Sequence, residues 1–169
     1  MIKMNKTRSL KFFIRICPVI LAAILLSCGN SSELTEKEKE VIRHEVRQTL
    51  QNYYDDIRQS GLLAEFNYLE ESPDFFWSPP GFTHPLSYDS IASIIRLNST
   101  LYQKVDNQFD TLLIIPVKRK VATYSGRLTS TVVDTAGVTT TIRMIETGVL
   151  IKIDDQWKLL NGQTSVINQ

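Results

Sequence analysis

The sequence contains few of the residues on which most catalytic and metal sites depend. Its 169 residues include two histidines, two cysteines and seven glycines. The glycines are too scattered for a phosphate-binding loop or a dinucleotide fingerprint, and neither a G-x-S-x-G nor an H-E-x-x-H motif occurs. The acidic residues are spread along the chain and do not cluster at the spacing of metal ligands. We therefore expect no cofactor and no metal site.

Both cysteines lie near the start of the chain. Cys17 is part of an apolar run, residues 16–26, which is too short to cross the hydrocarbon core of a bilayer. A basic segment followed by such a run is typical of a signal peptide, which we predict over residues 1–27. Its removal would leave Cys28 as the one remaining thiol. Disulfides, cysteine-rich metal sites and cysteine catalysis are therefore excluded for the mature domain.

The residues around Cys28 resemble the lipobox of bacterial lipoproteins, with the sequence Leu25-Leu26-Ser27-Cys28-Gly29. The resemblance implies cleavage before Cys28, lipid attachment to its thiol and acylation of the new amino terminus. Several acyl chains would hold the protein far more firmly than one. We therefore predict a lipidated tether over residues 28–33, a membrane as partner, and a location in the bacterial cell envelope, at either the inner or the outer membrane. The alternative is that Cys28 ends an uncleaved anchor or is a buried thiol.

Positive charge is scarce beyond the first fifteen residues. Residues 28–169 carry 14 basic and 18 acidic side chains, a net charge of about −4. A protein that follows a phosphate backbone normally has a basic face. The one basic run, Lys118-Arg119-Lys120, is explained by a charged turn between strands. We therefore expect no nucleic-acid partner.

Helices are predicted to cover one face of a sheet. Thr35 and Glu38 have the spacing of a capping box, and apolar side chains then recur at the helical period until Gly61 supplies a stop. These signals predict a helix of about 25 residues. A shorter helix is predicted over residues 62–68, and a further amphipathic helix over residues 88–104.

The last third of the chain is rich in β-branched and aromatic residues, with turn residues between the runs. The predicted long strands are residues 109–117, 121–133, 138–153 and 156–166. Pro116 suits an edge strand, and Asp154-Asp155 is predicted to form a hairpin turn. A short strand is predicted earlier, over residues 74–77, and it ends at a turn rich in proline and glycine.

Two segments resemble the nuclear transport factor 2-like superfamily, also called SnoaL-like. They are Asp74-Phe75-Phe76-Trp77 ahead of Gly81, and Ile151-Lys152-Ile153-Asp154-Asp155-Gln156-Trp157-Lys158-Leu159-Leu160 followed by Ser165. The resemblance places such a domain at residues 34–169. It implies an α+β fold, in which a bent antiparallel or mixed sheet wraps as a cone around the long N-terminal helix, with a pocket at the open end.

The last predicted strand departs from the pattern of that superfamily. Many members carry histidines shortly after the tryptophan, whereas this chain has Asn161 and Gln163. A histidine-based role is therefore not carried over to this strand.

Aromatic and charged side chains supply the candidates for a site. The pocket candidates are Tyr53, Tyr54, Trp77, His84, Tyr102, Arg143 and Glu146. For His84 we favour a loop cap over a general acid or base. Charged residues within a strand are costly unless they are paired or face water, so we favour outward-facing pairs for Arg143 and Glu146. The alternative is that one of them points inward as a polar anchor. Side chains alternate between the two faces of a strand, so Arg143 shares a face with Ile145 and Ile153, which are expected to be buried. A bulge after Arg143 would reverse this assignment.

These observations predict a lipid-anchored envelope protein whose cone binds a small, partly apolar ligand or a protein partner without catalysis. The alternative is an isomerase- or dehydratase-type enzyme that uses a pocket carboxylate such as Asp74 or Glu146 as its base. That alternative requires a buried carboxylate with a raised pKa that faces a cavity. A homodimer through the outer face of the sheet is a further expectation.

Overall fold

Within residues 33–167, which the computed structural model describes, a six-stranded sheet and two α-helices make up the fold. The elements are α1 (Glu36–Ser60), a 3-10 helix (Leu62–Asn67), β1 (Phe76–Ser78), β2 (Leu86–Ser87), α2 (Tyr88–Leu101), β3 (Tyr102–Lys118), β4 (Val121–Asp134), β5 (Thr139–Ile153) and β6 (Gln156–Val166). The predicted signal peptide, the Cys28 lipidation site and all but the last residue of the tether lie outside the described residues. No helix of the described part is both long and apolar enough to cross a membrane.

Helix α1 begins and ends where the sequence predicts. The amide of Thr35 donates to Glu38 Oε2 at 2.8 Å, and the amide of Glu38 donates to Thr35 Oγ1 at 3.3 Å, which completes the capping box. Gly61 ends the helix at a φ of 86°, a left-handed value that favours glycine. One stripe of α1 is buried in the core, namely Ile42, Val46, Leu50, Tyr53, Tyr54 and Ile57. This stripe packs against the inner face of the sheet, so the helix presents two tyrosines to the interior.

The strand order is β2-β1-β6-β5-β4-β3. Strand β1 runs parallel to β6, and the remaining neighbours are antiparallel. The predicted α+β cone, with a mixed sheet around a long N-terminal helix, is confirmed. Strand β3 lies at the edge of the sheet, where Pro116 interrupts few backbone hydrogen bonds.

The boundary between α2 and β3 differs from the prediction. We predicted a helix to residue 104 and a strand from residue 109, but α2 ends at Leu101 and β3 starts at Tyr102. Tyr102 pairs with Asp134, and the residues after it continue the ladder along β4. Pairing with a long neighbouring strand therefore overrides the local helical pattern.

The hairpin between β5 and β6 attaches the sheet to α1. Asp154 and Asp155 both have positive φ values, 46° and 62°, as a two-residue hairpin turn of the primed type requires. The turn places Trp157 against α1, where its Nε1 donates to Glu45 Oε2 at 2.8 Å. Lys152 Nζ donates to the same oxygen at 2.9 Å. The tryptophan of the superfamily-like segment is therefore a structural contact in this chain.

The prediction of which face of β5 is buried was wrong, because the buried and exposed faces are interchanged. Glu146, Gly148 and Leu150 face inward, whereas Ile145 is 45% exposed on the outer face. The pairing of β5 with β4 is uninterrupted, and the irregularity lies instead in the pairing with β6, beside Leu150. Because no bulge resets β5, Glu146 stays on the same inner face as Met144 and Leu150. The outer face exposes further apolar side chains, including Leu113 at 62%, and the homodimer through this face stays a prediction.

Candidate functional site

A cavity of about 270 Å³ lies inside the cone, between the helices and the sheet. Most of its wall is aromatic or aliphatic. Four of the predicted pocket residues line it, namely Tyr53, Tyr54, Trp77 and Glu146. Such a volume is close to the lower end of small-molecule sites, roughly 300–1,000 Å³. The cone is therefore not filled by its own side chains.

Glu146 is the buried polar centre of this cavity. Its Oε1 accepts hydrogen bonds from the hydroxyls of Tyr54 at 2.7 Å and Tyr124 at 2.8 Å. Its Oε2 accepts from Thr164 Oγ1 at 3.3 Å. Burial raises the pKa of the Glu146 carboxyl above its ordinary value, although the three hydrogen bonds oppose that shift. Both oxygens are thus engaged, and the side chain is held in one position.

The tyrosines around Glu146 remain protonated donors. Burial and the neighbouring carboxylate raise the pKa of the Tyr54 and Tyr124 hydroxyls well above their ordinary value. The same causes raise the pKa of Tyr53, for which Glu65 is the nearest carboxylate. Each hydroxyl therefore keeps its proton at neutral pH and donates a hydrogen bond to a carboxylate oxygen.

Two glycines of the sheet allow aromatic rings to reach this network. Tyr124 on β4 lies opposite Gly148 on β5, and a Cβ at Gly148 would lie 2.7 Å from the Tyr124 ring. Trp77 on β1 lies opposite Gly162 on β6 in the same way, and its Nε1 donates to Thr164 Oγ1 at 3.2 Å. Each ring lies across the glycine on the neighbouring strand, so its polar end is directed to Glu146 or to Thr164.

Gly162→Ala is expected to destabilise the domain by about 1–3 kcal/mol, the usual cost of overpacking. A Cβ at this position would lie 2.5 Å from the Trp77 ring and would also press on the carbonyl oxygen of Thr147. Urea unfolding measures the loss, and near-UV circular dichroism reports the displaced indole. Gln163→Ala, at an exposed neighbouring position, is the control and should change stability by no more than about 0.5 kcal/mol. Equal stability of the two variants would contradict this packing.

A second carboxyl group, that of Glu65 on the 3-10 helix, lines the same cavity. The Tyr53 hydroxyl donates to its Oε2 at 2.9 Å. Burial is the main cause that raises the pKa of Glu65 to about 7, and the negative charge of Glu146 adds to it, while the bond from Tyr53 opposes it. Among the side chains of the described range, Tyr53 is the one donor to Glu65. Its Oε1 therefore has capacity for a further hydrogen bond.

The two carboxyl groups are connected through α1. Tyr53 and Tyr54 are consecutive residues whose ring centroids lie 4.7 Å apart. One hydroxyl binds Glu65 and the other binds Glu146. The helix thus holds both acids at one end of the core.

Asn107 adds an acceptor that the rest of the domain does not use. Its side chain, on β3, contributes to the cavity wall. The Oδ1 atom is buried and finds no hydrogen-bond donor within residues 33–167. A buried polar atom without a partner is uncommon in folded proteins.

The other predicted site residues lie away from the cavity wall. His84 is exposed in the loop before β2, and Arg143 is exposed on β5, so Arg143 faces outward as we favoured. Glu146 points inward instead, which was the alternative. Tyr102 packs at the margin of the core. Asp74, the other carboxylate considered as a base, is exposed.

Sequence reasoning missed six polar residues of the site, namely Glu65, Asn98, Asn107, Tyr124, Ser130 and Thr164. For Tyr124 a signal existed, because it has the same place in the alternating pattern of β4 as the apolar residues Ala122 and Leu128 and therefore lies on the same face. For Glu65 a weak signal existed in its position between the apolar residues of a short helix. No signal marked Asn107. Within the described residues, no group of three or more metal-ligating side chains occurs.

Solved structures with the same architecture cover most of the chain. A provisionally named scytalone dehydratase from Novosphingobium aromaticivorans aligns with a TM-score of 0.70 and 12% identity, over 79% of this chain and 89% of that one. A nuclear transport factor 2-like superfamily protein from Salmonella enterica serovar Typhimurium aligns with a TM-score of 0.66 and 18% identity, over 77% and 94%. The fold is that of the nuclear transport factor 2-like proteins.

A third similar structure carries an enzymatic name. A provisionally named dehydratase of the nuclear transport factor 2-like family from Streptomyces avermitilis aligns with a TM-score of 0.66 and 12% identity, over 77% of this chain and 99% of that one. No family model matches the sequence, and no curated protein matches it. Identities this low establish the fold and leave the activity open, since one fold hosts many functions.

Proposed function

We propose that this domain binds a small, largely apolar molecule inside the cone. The observation that carries the proposal is the cavity of about 270 Å³ with Glu146 fixed in its wall. Ligand sites typically combine an apolar lining with a few polar groups that set orientation. Glu146, Glu65 and Asn107 are such groups, and aromatic rings from three elements surround them.

The hydrogen-bond pattern divides the roles of the two carboxyl groups. Glu146 accepts from three hydroxyl donors through both of its oxygens, so it holds the tyrosines in place. Among the described side chains, Glu65 has one donor, which binds Oε2, and its Oε1 accepts none. A ligand that brings a hydrogen-bond donor to Glu65 replaces a missing interaction, which makes its binding favourable.

A thermal-shift screen of small aromatic and alicyclic compounds tests the proposal. We expect some of them to raise Tm, since a ligand that binds only the folded state stabilises it. Ile94→Trp, on the cavity side of α2, should abolish the shift because the indole fills the space. Leu97→Trp, on the same helix at a position 60% exposed, is the matched control and should keep it. Binding that survives Ile94→Trp would contradict a site in the cone.

A second candidate function is acid–base catalysis, and one observation favours it. The pKa of Glu65 is raised to about 7, which suits a general base at neutral pH. Some solved structures with this fold carry dehydratase names. If Glu65 removes a proton from carbon, a bound ligand with an acidic C–H group should exchange it for deuterium in D₂O, and Glu65→Gln should stop the exchange. Exchange at the uncatalysed rate would leave binding as the sole function.

We also propose that a lipid on Cys28 anchors the domain to a membrane of the bacterial cell envelope. The support is the lipobox-like sequence around Cys28 after a basic and apolar segment. Expression in a bacterium with a clickable fatty acid should label the wild-type chain, and Cys28→Ala should abolish the label. Cys17→Ala is the control and should remain labelled. Label on the Cys28→Ala chain would contradict the anchor.

A further inference from the structure

The charge of the cavity wall is one-sided. Among the described residues that line it, Glu65 and Glu146 are the two with carboxyl groups, and lysine, arginine and histidine are absent from the wall. The acids influence one another, because the charge of Glu146 disfavours ionisation of Glu65. A buried carboxyl group (Glu146) and a half-buried one (Glu65) without a counter-charge are costly when both are ionised. A cation in the cavity would remove that cost.

Two acceptors of the wall have unused hydrogen-bonding capacity. Glu65 Oε1 has no donor from the described side chains, and Asn107 Oδ1 is buried without one. Both are acceptors. A ligand with N–H donors satisfies Glu65, whereas a ligand carboxylate would add like charge beside the acids.

The apolar part of the wall suits the body of such a ligand. Tyr53, Phe75 and Trp77 contribute aromatic surface next to the acids. Aromatic faces attract cations as well as apolar groups. The arrangement therefore combines a receptor for an ammonium group with a compartment for a ring or a short hydrocarbon.

We infer that the preferred ligand is a small apolar amine, bound as its ammonium ion with the nitrogen against Glu65. This inference rests on the proposed function, since it specifies the chemical class that the cone binds. The ammonium donates to Glu65 Oε1, and its charge compensates the carboxylate. Glu146 keeps its three hydroxyl donors throughout.

Three probes of similar shape and different charge test the inference on the purified chain. They are 2-phenylethylamine, 2-phenylethanol and phenylacetate, titrated while the methyl signal of Met144 is followed by NMR in protein labelled at the methionine methyl carbon. Met144 lines the cavity, and the other two methionines, Met1 and Met4, lie outside the described residues. The signal therefore reports binding inside the cone.

We expect the amine to bind at least tenfold more tightly than the alcohol and phenylacetate to give no saturable shift. Glu65→Gln should lower the affinity for the amine to that for the alcohol, since a salt-bridged donor contributes more than a neutral one. The affinity for the alcohol, which is a neutral donor, should change by no more than about threefold. Glu71→Gln, which removes the same charge from an exposed position, is the control and should keep the preference.

The possible outcomes separate the two claims. Equal affinity of amine and alcohol for the wild-type chain, or tighter binding of phenylacetate, overturns the inference and leaves a ligand-binding cone. An amine preference that survives Glu65→Gln overturns the assigned position of the nitrogen. If none of the probes nor any compound from the thermal-shift screen moves the Met144 signal, the proposed function itself fails. The wild-type comparison alone decides the charge preference, even if the variant does not fold.

Discussion

Glu146→Ala is expected to lower the free energy of unfolding by about 2–4 kcal/mol. The substitution leaves the hydroxyls of Tyr54, Tyr124 and Thr164 without their acceptor inside the core. A buried donor without a partner costs about 1–3 kcal/mol, and water that enters the enlarged cavity restores part of this. Chemical denaturation, followed by tryptophan fluorescence, measures the change.

Glu146→Gln is the matched control for this result. The amide oxygen of Gln can accept from both tyrosines, and its N–H group can donate to Thr164 Oγ1. We therefore expect a loss within about 1 kcal/mol. An alanine variant as stable as the wild type would show that the hydroxyls find other partners, and the network around Glu146 would then not organise the interior.

The second large effect is a fall in stability between pH 4.5 and pH 7 caused by Glu65. Its pKa rises from an ordinary 4.5 to about 7 on folding, so the folded state binds this proton more tightly than the unfolded state. The free energy of unfolding therefore decreases as pH rises through this interval, by roughly 3 kcal/mol from this group. Above pH 7 the full penalty of the buried carboxylate is present.

Glu65→Gln should remove this pH dependence, because the amide resembles the protonated acid at every pH. The measurable quantity is the difference in unfolding free energy between the variant and the wild type, from pH 4.5 to pH 8. We expect it to change by roughly 3 kcal/mol in favour of the variant. A difference that does not vary with pH would contradict a raised pKa of the acid at this position.

Glu38→Gln supplies a control of opposite sign. Hydrogen bonds from Thr35, and then from Arg119, lower the pKa of Glu38 to about 2. The contribution of Glu38 is therefore present above pH 4.5 and is lost as pH falls towards 2. The stability of this variant should approach that of the wild type in acid, where Glu65 is protonated and has no effect.

Much of the fold could be predicted because its signals are local and repetitive. The capping box at Thr35 and Glu38 defined the start of α1, and the apolar stripe defined its buried face. The turn at Asp154 and Asp155 and the alternation along the strands gave the hairpins of the sheet. The predicted end of α2 was wrong, because the pairing of β3 with β4 sets this boundary and β4 is remote from it in sequence.

The candidate site was less predictable because it depends on parity and on contacts between distant segments. Whether Glu146 faces inward is set by the absence of a bulge in β5, which the sequence does not reveal. Its partners come from α1, β4 and β6, and they are separated from it by up to 92 residues. Glu65 reaches the cavity from a 3-10 helix whose side chains have no strong periodicity. Long-range assembly, more than residue type, creates this site.

The most direct test of a ligand site in the cone is the methyl NMR signal of Met144 during titration with the compounds that raise Tm. Met144 lies in the cavity wall with Glu146, so a bound molecule must change its surroundings. We predict a saturable shift of this signal, with the same dissociation constant as the thermal effect, and its loss in Ile94→Trp. Compounds that stabilise the protein without moving the Met144 signal would place their site elsewhere and would contradict a binding cavity inside the cone.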